Sequence, residues 1–192
     1  MDISKTEKHL CAMLEDGLGF DLKDPNLADT PKRIARMYCN EFFKNVGVEY
    51  EDFKSFPNVH GYDQIIVSDR IAFVSICSHH FLPFTGLAWL LYIPNERLIG
   101  ASKMARLVNH YAKRPQIQEN LCHEILHRFD NELRPSGCMV FMKGIHDCMR
   151  CRGALQPNSG MMTSAVKGAF EDPDLESKGL EMIKISLNSQ EV

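Results

Sequence analysis

Two short clusters constrain this chain more than anything else in it. The first is Cys77-Ser78-His79-His80, with apolar residues on both sides, and the second is His146-Asp147-Cys148-Met149-Arg150-Cys151-Arg152. Thiolate and imidazole are side chains that zinc prefers. A fold that uses both clusters at one ion must bring distant parts of the sequence to a single point. Cys77-x-x-His80 lets two ligands reach one ion from the loop after a strand, and Cys148 is the natural third ligand. Three protein ligands leave a fourth position for water, which is the catalytic arrangement. Cys148-x-x-Cys151 leaves open a second possibility, a closed four-ligand site with Cys77 and His80. In the open site, zinc acidifies its water to a pKa of about 7. His79 and His146 then stand next to the ligands as proton carriers, because imidazole titrates near neutral pH. The residues thus read as zinc-assisted hydrolysis.

The substrate side is anionic. The net charge is −3 and the pI about 6.2, so nothing pulls the whole chain toward nucleic acid or an anionic membrane. Cations are instead gathered locally. Ser102-Lys103-x-x-Arg106 presents a hydroxyl and two cations on the first turn of a helix, whose free N–H groups favour phosphate. Arg150 and Arg152 flank the second cluster, and Lys32, Arg33 and Arg36 share one face of an early helix. Gln118-Glu119 follows a helix-breaking proline, and a carboxylate there can accept the two N–H donors of a guanine edge.

The remaining pattern gives the architecture. Residues 4–17 and about 31–45 read as helices, the second opened by Asp29-Thr30-Pro31, a capping residue with proline at the first helical position. Residues 46–63 read as irregular. Ile65–Val67, Ile71–Ile76, Leu87–Ile93, Cys138–Met142 and 163–170 carry strand signals. Between them, one helix runs from an N-cap at Ser102 to Arg114-Pro115, and another follows Pro115. Residues 175–187 mix helical and extended signals. The order implies an α+β fold: an antiparallel sheet with helices on one face, in a catalytic domain over 61–192 preceded by a helical extension over 1–60. No stretch reaches the roughly 20 apolar residues of a membrane span. The polar N-terminus has no signal-peptide core, so a cytoplasmic location is expected.

Several motifs in this order resemble one family. They are Cys77-Ser78-His79-His80-Phe81, Gly86, Tyr92-Ile93-Pro94, Ile99-Gly100-Ala101-Ser102-Lys103-Met104-Ala105-Arg106, Arg114-Pro115-Gln116-Ile117-Gln118-Glu119, and His146-x-Cys148-Met149-x-x-Arg152-Gly153. Together with Thr30-Pro31-Lys32-Arg33-Ile34-Ala35-Arg36-Met37-Tyr38, they are similar to GTP cyclohydrolase I from about residue 5 to about residue 185. The resemblance implies the tunnelling fold (T-fold), in which several subunits build an oligomeric barrel. It also implies a homodecamer of two pentamers, with active sites at subunit interfaces. It implies zinc on Cys77, His80 and Cys148. His146 would act at the purine N7 and His79 near the ribose, with Ser102 a third catalytic candidate that also binds the triphosphate and ribose. Glu119 and Gln118 would hold the guanine, and Lys103, Arg106, Arg152 and Arg33 the triphosphate and ribose. The implied reaction opens the GTP imidazole ring at C8, releases formate and yields 7,8-dihydroneopterin triphosphate, a first step of pterin or folate biosynthesis and one-carbon metabolism. Two other readings stay beside it: a homologue with truncated or altered purine chemistry, and a non-catalytic, zinc-stabilised oligomer.

The sequence departs from the family pattern at Ser78, where the family usually carries Glu. That removes a carboxylate next to the metal. Asp147, one residue from two site positions, is the candidate to restore that charge.

Overall fold

The computed structural model describes residues 1–188, in two compact units, Met1–Val48 and the described residues from Glu49 onward. In the first unit, α1 (Ile3–Ala12) is capped by the Asp2 carboxylate, which accepts from the Lys5 N–H at 2.9 Å. It continues through a wider π-helical turn to Gly17. The second helix, α2 (Thr30–Arg36), starts with Pro31 in its first turn and also widens, over Met37–Phe42. Asp29 sits at the capping position, but its side chain does not cap. The carboxylate faces Arg33 at 3.4 Å, while its backbone carbonyl takes the Arg33 N–H.

The second unit is built on a five-stranded sheet with spatial order β5-β2-β3-β6-β7, in which β5 is the two-residue strand Pro115–Gln116. A small pair stands apart from it, β1 (Ser55–Pro57) with β4 (Arg97–Ile99), inside a stretch that the sequence reads partly as irregular. The two runs Ile65–Val67 and Ile71–Ile76 prove to be one strand, β2 (Ile66–Cys77), interrupted by a bulge at Asp69-Arg70, where Arg70 has φ 46. It pairs antiparallel with β3 (Pro83–Ile93), which pairs with β6 (Gly137–His146) and that with β7 (Met161–Gly168). Pro83 is tolerated because it opens its strand.

Alternation along these strands makes two faces. Phe73, Ala88, Leu90, Tyr92, Cys138 and Val140 form the main core with α3 (Ala101–Ala112) and α4 (Gln118–Leu133). The helices supply the expected stripes, Met104, Leu107, Val108 and Tyr111 from α3, and Leu121, Ile125, Leu126 and Phe129 from α4. Ser102 is not the N-cap of α3. The helix closes on the Gly100 carbonyl, which takes the Lys103 N–H at 2.8 Å, and Ser102 stands exposed on the first turn.

The opposite face corrects the expectation of helices on one side only. Trp89, Leu91, Met139 and Phe170 pack there with Ile183 of α6 (Pro173–Asn188). Gly179 lets α6 approach closely, since a Cβ there would stand 3.1 Å from Phe170 and 3.2 Å from the Met139 sulfur. The tie is also polar: the Trp89 indole N–H donates to Asp69 Oδ1 at 3.0 Å and to Ser186 Oγ at 2.9 Å. Beyond Trp89 the same face carries Val74, Ile145 and Met162 exposed.

Candidate active site

The site forms where three strand ends meet. β2 ends at Cys77, and the chain reverses in a tight turn in which the Phe81 N–H bonds the Cys77 carbonyl and Phe81 adopts φ 52. This turn carries His79 and His80. The two-residue strand β5 (Pro115–Gln116) runs parallel to that end, with Gln116 beside Cys77 and its carbonyl taking the Ser78 N–H at 2.9 Å. Proline at 115 and the start of α4 thereby set Gln118 and Glu119 next to the first cluster. On the other side, β6 ends at His146, opposite Phe84 of β3, and α5 (Asp147–Arg150) turns Cys148 back toward Cys77.

The candidate ligand atoms of Cys77, His80 and Cys148 lie within 4.8 Å of one another. The two sulfurs are 3.8 Å apart. Two thiolates at about 2.3 Å from one tetrahedral ion would stand about 3.8 Å apart, so the pair fits zinc without rearrangement. The chemistry agrees. Burial, followed by the adjacent Cys77 sulfur, pushes the Cys148 thiol up, with Arg152 pulling the other way. Two sulfurs this close ionise together only if a cation offsets their repulsion. Cys151 is not in this group: its Sγ lies 3.0 Å from the Asp147 carbonyl, on the exposed side of α5.

Around the trio is a cavity of about 280 Å³ lined by His79, Gln116, Ile117, Gln118, Glu119, His146 and Met161, among others. The His79 Nδ1 is 3.9 Å from the Cys77 sulfur. His146 is 7% exposed and stacks on Phe84 at 4.5 Å with the rings 3° from parallel. Burial lowers its pKa, while the Glu119 carboxylate acts in the opposite sense. Its Nδ1 is buried without a hydrogen-bond partner among the described residues. Gln118 is fixed from the sheet side. Its Nε2 reaches Thr163 Oγ1 at 3.1 Å and the Met161 carbonyl at 3.2 Å, and its buried Oε1 has no partner among the described residues.

The cavity therefore brings together the three ligand candidates, both histidines, Gln118 and Glu119. Ser102, Lys103, Arg106, Arg152 and Arg33 do not line it. Arg152 is close enough to act on Cys148 electrostatically. Arg33 belongs to the first unit, where it faces Asp29. Lys103 and Arg106 converge elsewhere, on the carboxylate of Asp52. Asp147 directs its carboxylate to Arg150 at 3.5 Å. Sequence reasoning misses Gln116 and Met161 in the lining; Gln116 carried a signal in the proline that precedes it, and Met161 carried none.

Converging thiol, imidazole and carboxylate groups make this cavity of an α+β chain the candidate active site for a small molecule. The model of the GTP cyclohydrolase I family matches residues 6–184. GTP cyclohydrolase 1 of Rhodopirellula baltica is 37% identical over 186 residues, covering 95% of this chain and 80% of the relative. That of Finegoldia magna is 39% identical over 186 residues, covering 95% of this chain and 99% of the relative. A solved structure, the archaeosine synthase QueF-like in the apo form, overlaps 63% of this chain and 98% of its own at 13% identity and TM-score 0.43. The chain belongs to the GTP cyclohydrolase I family.

Proposed function

We propose that the chain catalyses zinc-dependent opening of the GTP imidazole ring at C8, with release of formate and rearrangement to 7,8-dihydroneopterin triphosphate. The observation that carries this reading is the convergence of Cys77, His80 and Cys148 beside His146 and Glu119. Zinc held by the trio would supply Lewis acidity and an activated water. The chain's own residues do the rest. The Glu119 carboxylate accepts from the guanine N–H edge and fixes the base. His146, buried against Phe84, holds and delivers the proton at N7 that makes C8 electrophilic. His79, on the exposed turn, moves protons at the ribose as it opens and recloses. Two hydrolytic cleavages and one dehydration consume one water overall.

The cavity of about 280 Å³ suits a base better than a whole nucleotide. The phosphates therefore extend outside it, toward Ser102, Lys103, Arg106 and Arg152, with Arg33 contributed by a neighbouring subunit. The exposed apolar stretch of sheet at Val74, Ile145 and Met162 supports assembly with further copies, as expected for a T-fold barrel of two pentamers. Among the described residues no helix is long and apolar enough to cross a membrane, and a cytoplasmic enzyme feeding pterin or folate synthesis is the matching role. Incubating zinc-loaded protein with GTP tests the reading. Formate and a pterin fluorescent after oxidation are expected. Formate without pterin identifies the truncated reaction, and neither product overturns the proposal.

A further inference from the structure

We propose that Asp52 is an internal anion that occupies the Lys103–Arg106 cation pair and sets how tightly that pair takes phosphate. The proposal rests on the reading of Lys103 and Arg106 as the triphosphate anchor. One carboxylate oxygen of Asp52 bonds the Lys103 ammonium, and the other takes Arg106 Nη1 at 2.7 Å. This is how two oxygens of a phosphate would engage the same two groups. The Lys103 and Arg106 bonds also hold the Asp52 carboxyl below the usual carboxylate range, so the negative charge is permanent at neutral pH.

The placement is built into the fold. Tyr50, two residues before, is 4% exposed, and its hydroxyl lies 2.9 Å from the Asp52 carbonyl and 3.1 Å from the Lys103 carbonyl. Arg128 of α4 donates to the Tyr50 carbonyl at 2.7 Å. Phe53 packs on Phe129, and the Lys54 carbonyl takes the Gly100 N–H at the head of α3. The backbone is thus fastened on both sides of Asp52. The two cations differ in access: the Lys103 side chain is 14% exposed and that of Arg106 60%. A phosphate from solvent meets Arg106 first, and reaches the Lys103 ammonium only by displacing Asp52 or sharing it.

The physical consequence is a weakened hold on phosphate. Substrate and proposed product both keep their phosphates, so tight phosphate binding would retain product as strongly as it captures substrate. A fixed carboxylate lowers both affinities together. Removing one unit of negative charge about 6 Å from an incoming phosphoryl group, in a water-like dielectric, is worth about threefold in affinity for a singly charged group and about tenfold for a doubly charged one.

The test is calorimetric titration of the zinc-loaded full chain with inorganic triphosphate and, separately, with guanosine, for wild type, Asp52→Asn and Lys103→Met. Asp52→Asn is expected to bind inorganic triphosphate about threefold to tenfold more tightly with guanosine binding unchanged, and Lys103→Met to bind it more weakly. Asp52→Ser, expected to shift in the same direction, serves if the asparagine variant fails to fold. A merely structural clamp predicts no gain in affinity. Unchanged or weaker triphosphate binding in both Asp52 variants, with Lys103→Met impaired, overturns the role of Asp52 and leaves the anchor standing. Unchanged binding in Lys103→Met overturns the anchor itself, and this proposal with it.

Discussion

Substituting Gly144 by alanine tests how the guanine side of the cavity is held. A Cβ at Gly144 would sit 2.3 Å from Gln118 Oε1 and 3.3 Å from its Cδ, with His146 Cε1 at 3.6 Å. Non-bonded heavy atoms normally stand about 3.5–4.0 Å apart, so the Gln118 amide must retreat by more than an ångström. It has nowhere free to go, being 1% exposed and bonded through Nε2 to Thr163 and Met161. Losing two such bonds in a buried site costs about 2–3 kcal/mol at about 1 kcal/mol or slightly more each. Replacing a strand glycine returns about 0.5–1 kcal/mol. The net loss is about 1–2.5 kcal/mol, a fall in Tm of about 2–10 °C for a chain of this size. Calorimetry of Gly144→Ala, Gln118→Ala and the double variant measures it. The double variant should be more stable than the sum of the singles by about 1 kcal/mol or more, because the clash disappears with its partner. KM for GTP should rise in Gly144→Ala, since Glu119 adjoins Gln118. A Gly144→Ala protein as stable as wild type, or strict additivity, refutes the reasoning.

Three further outcomes follow from other parts of the molecule. Burial lowers the His146 pKa below its ordinary value of about 6.5; the neutral ring is then favoured in the folded state, and the associated stability is present above that value and lost as pH falls through the lowered one. Melting of metal-free protein between about pH 7.5 and about pH 5 should therefore lose less stability in His146→Gln than in wild type, and equal slopes would count against it. Cys151→Ser should leave bound zinc per chain unchanged, whereas Cys148→Ser should lower it, as read by elemental analysis. Loss of zinc in both variants would favour the closed four-ligand site. Trp89 is the single tryptophan, and its indole N–H reaches Ser186 of α6 at 2.9 Å. Ser186→Ala should change its emission and cost about 0.5–1.5 kcal/mol, and an unaltered spectrum would deny the tie.

The legible parts of this protein were those whose signal is local. Cys77-x-x-His80 and Cys148 stand out because thiol and imidazole are rare side chains with a shared metal chemistry, and their convergence needs only strands that end side by side. The stripes of α3 and α4 were readable because one face of each helix is buried against one sheet. Other features depended on non-local partners. The pair β1 and β4 is three residues long on each side and includes a proline, so no alternation announces it. Gly179 weakens the helical signal of α6, and its reason lies in Phe170 and Met139. Ser102 looks like a cap because of its type, yet the backbone closes one turn on Gly100. Asp52 sits in an irregular stretch, and nothing near it in sequence reveals that it meets Lys103 and Arg106.

The most direct test uses GTP isotopically labelled at C8 with zinc-loaded wild type and Cys148→Ser. The label is expected to leave as free formate while the pterin product carries none, and Cys148→Ser is expected to stop release of formate and formation of pterin alike. Label retained in an intact purine, or full turnover without Cys148, would contradict the proposed reaction.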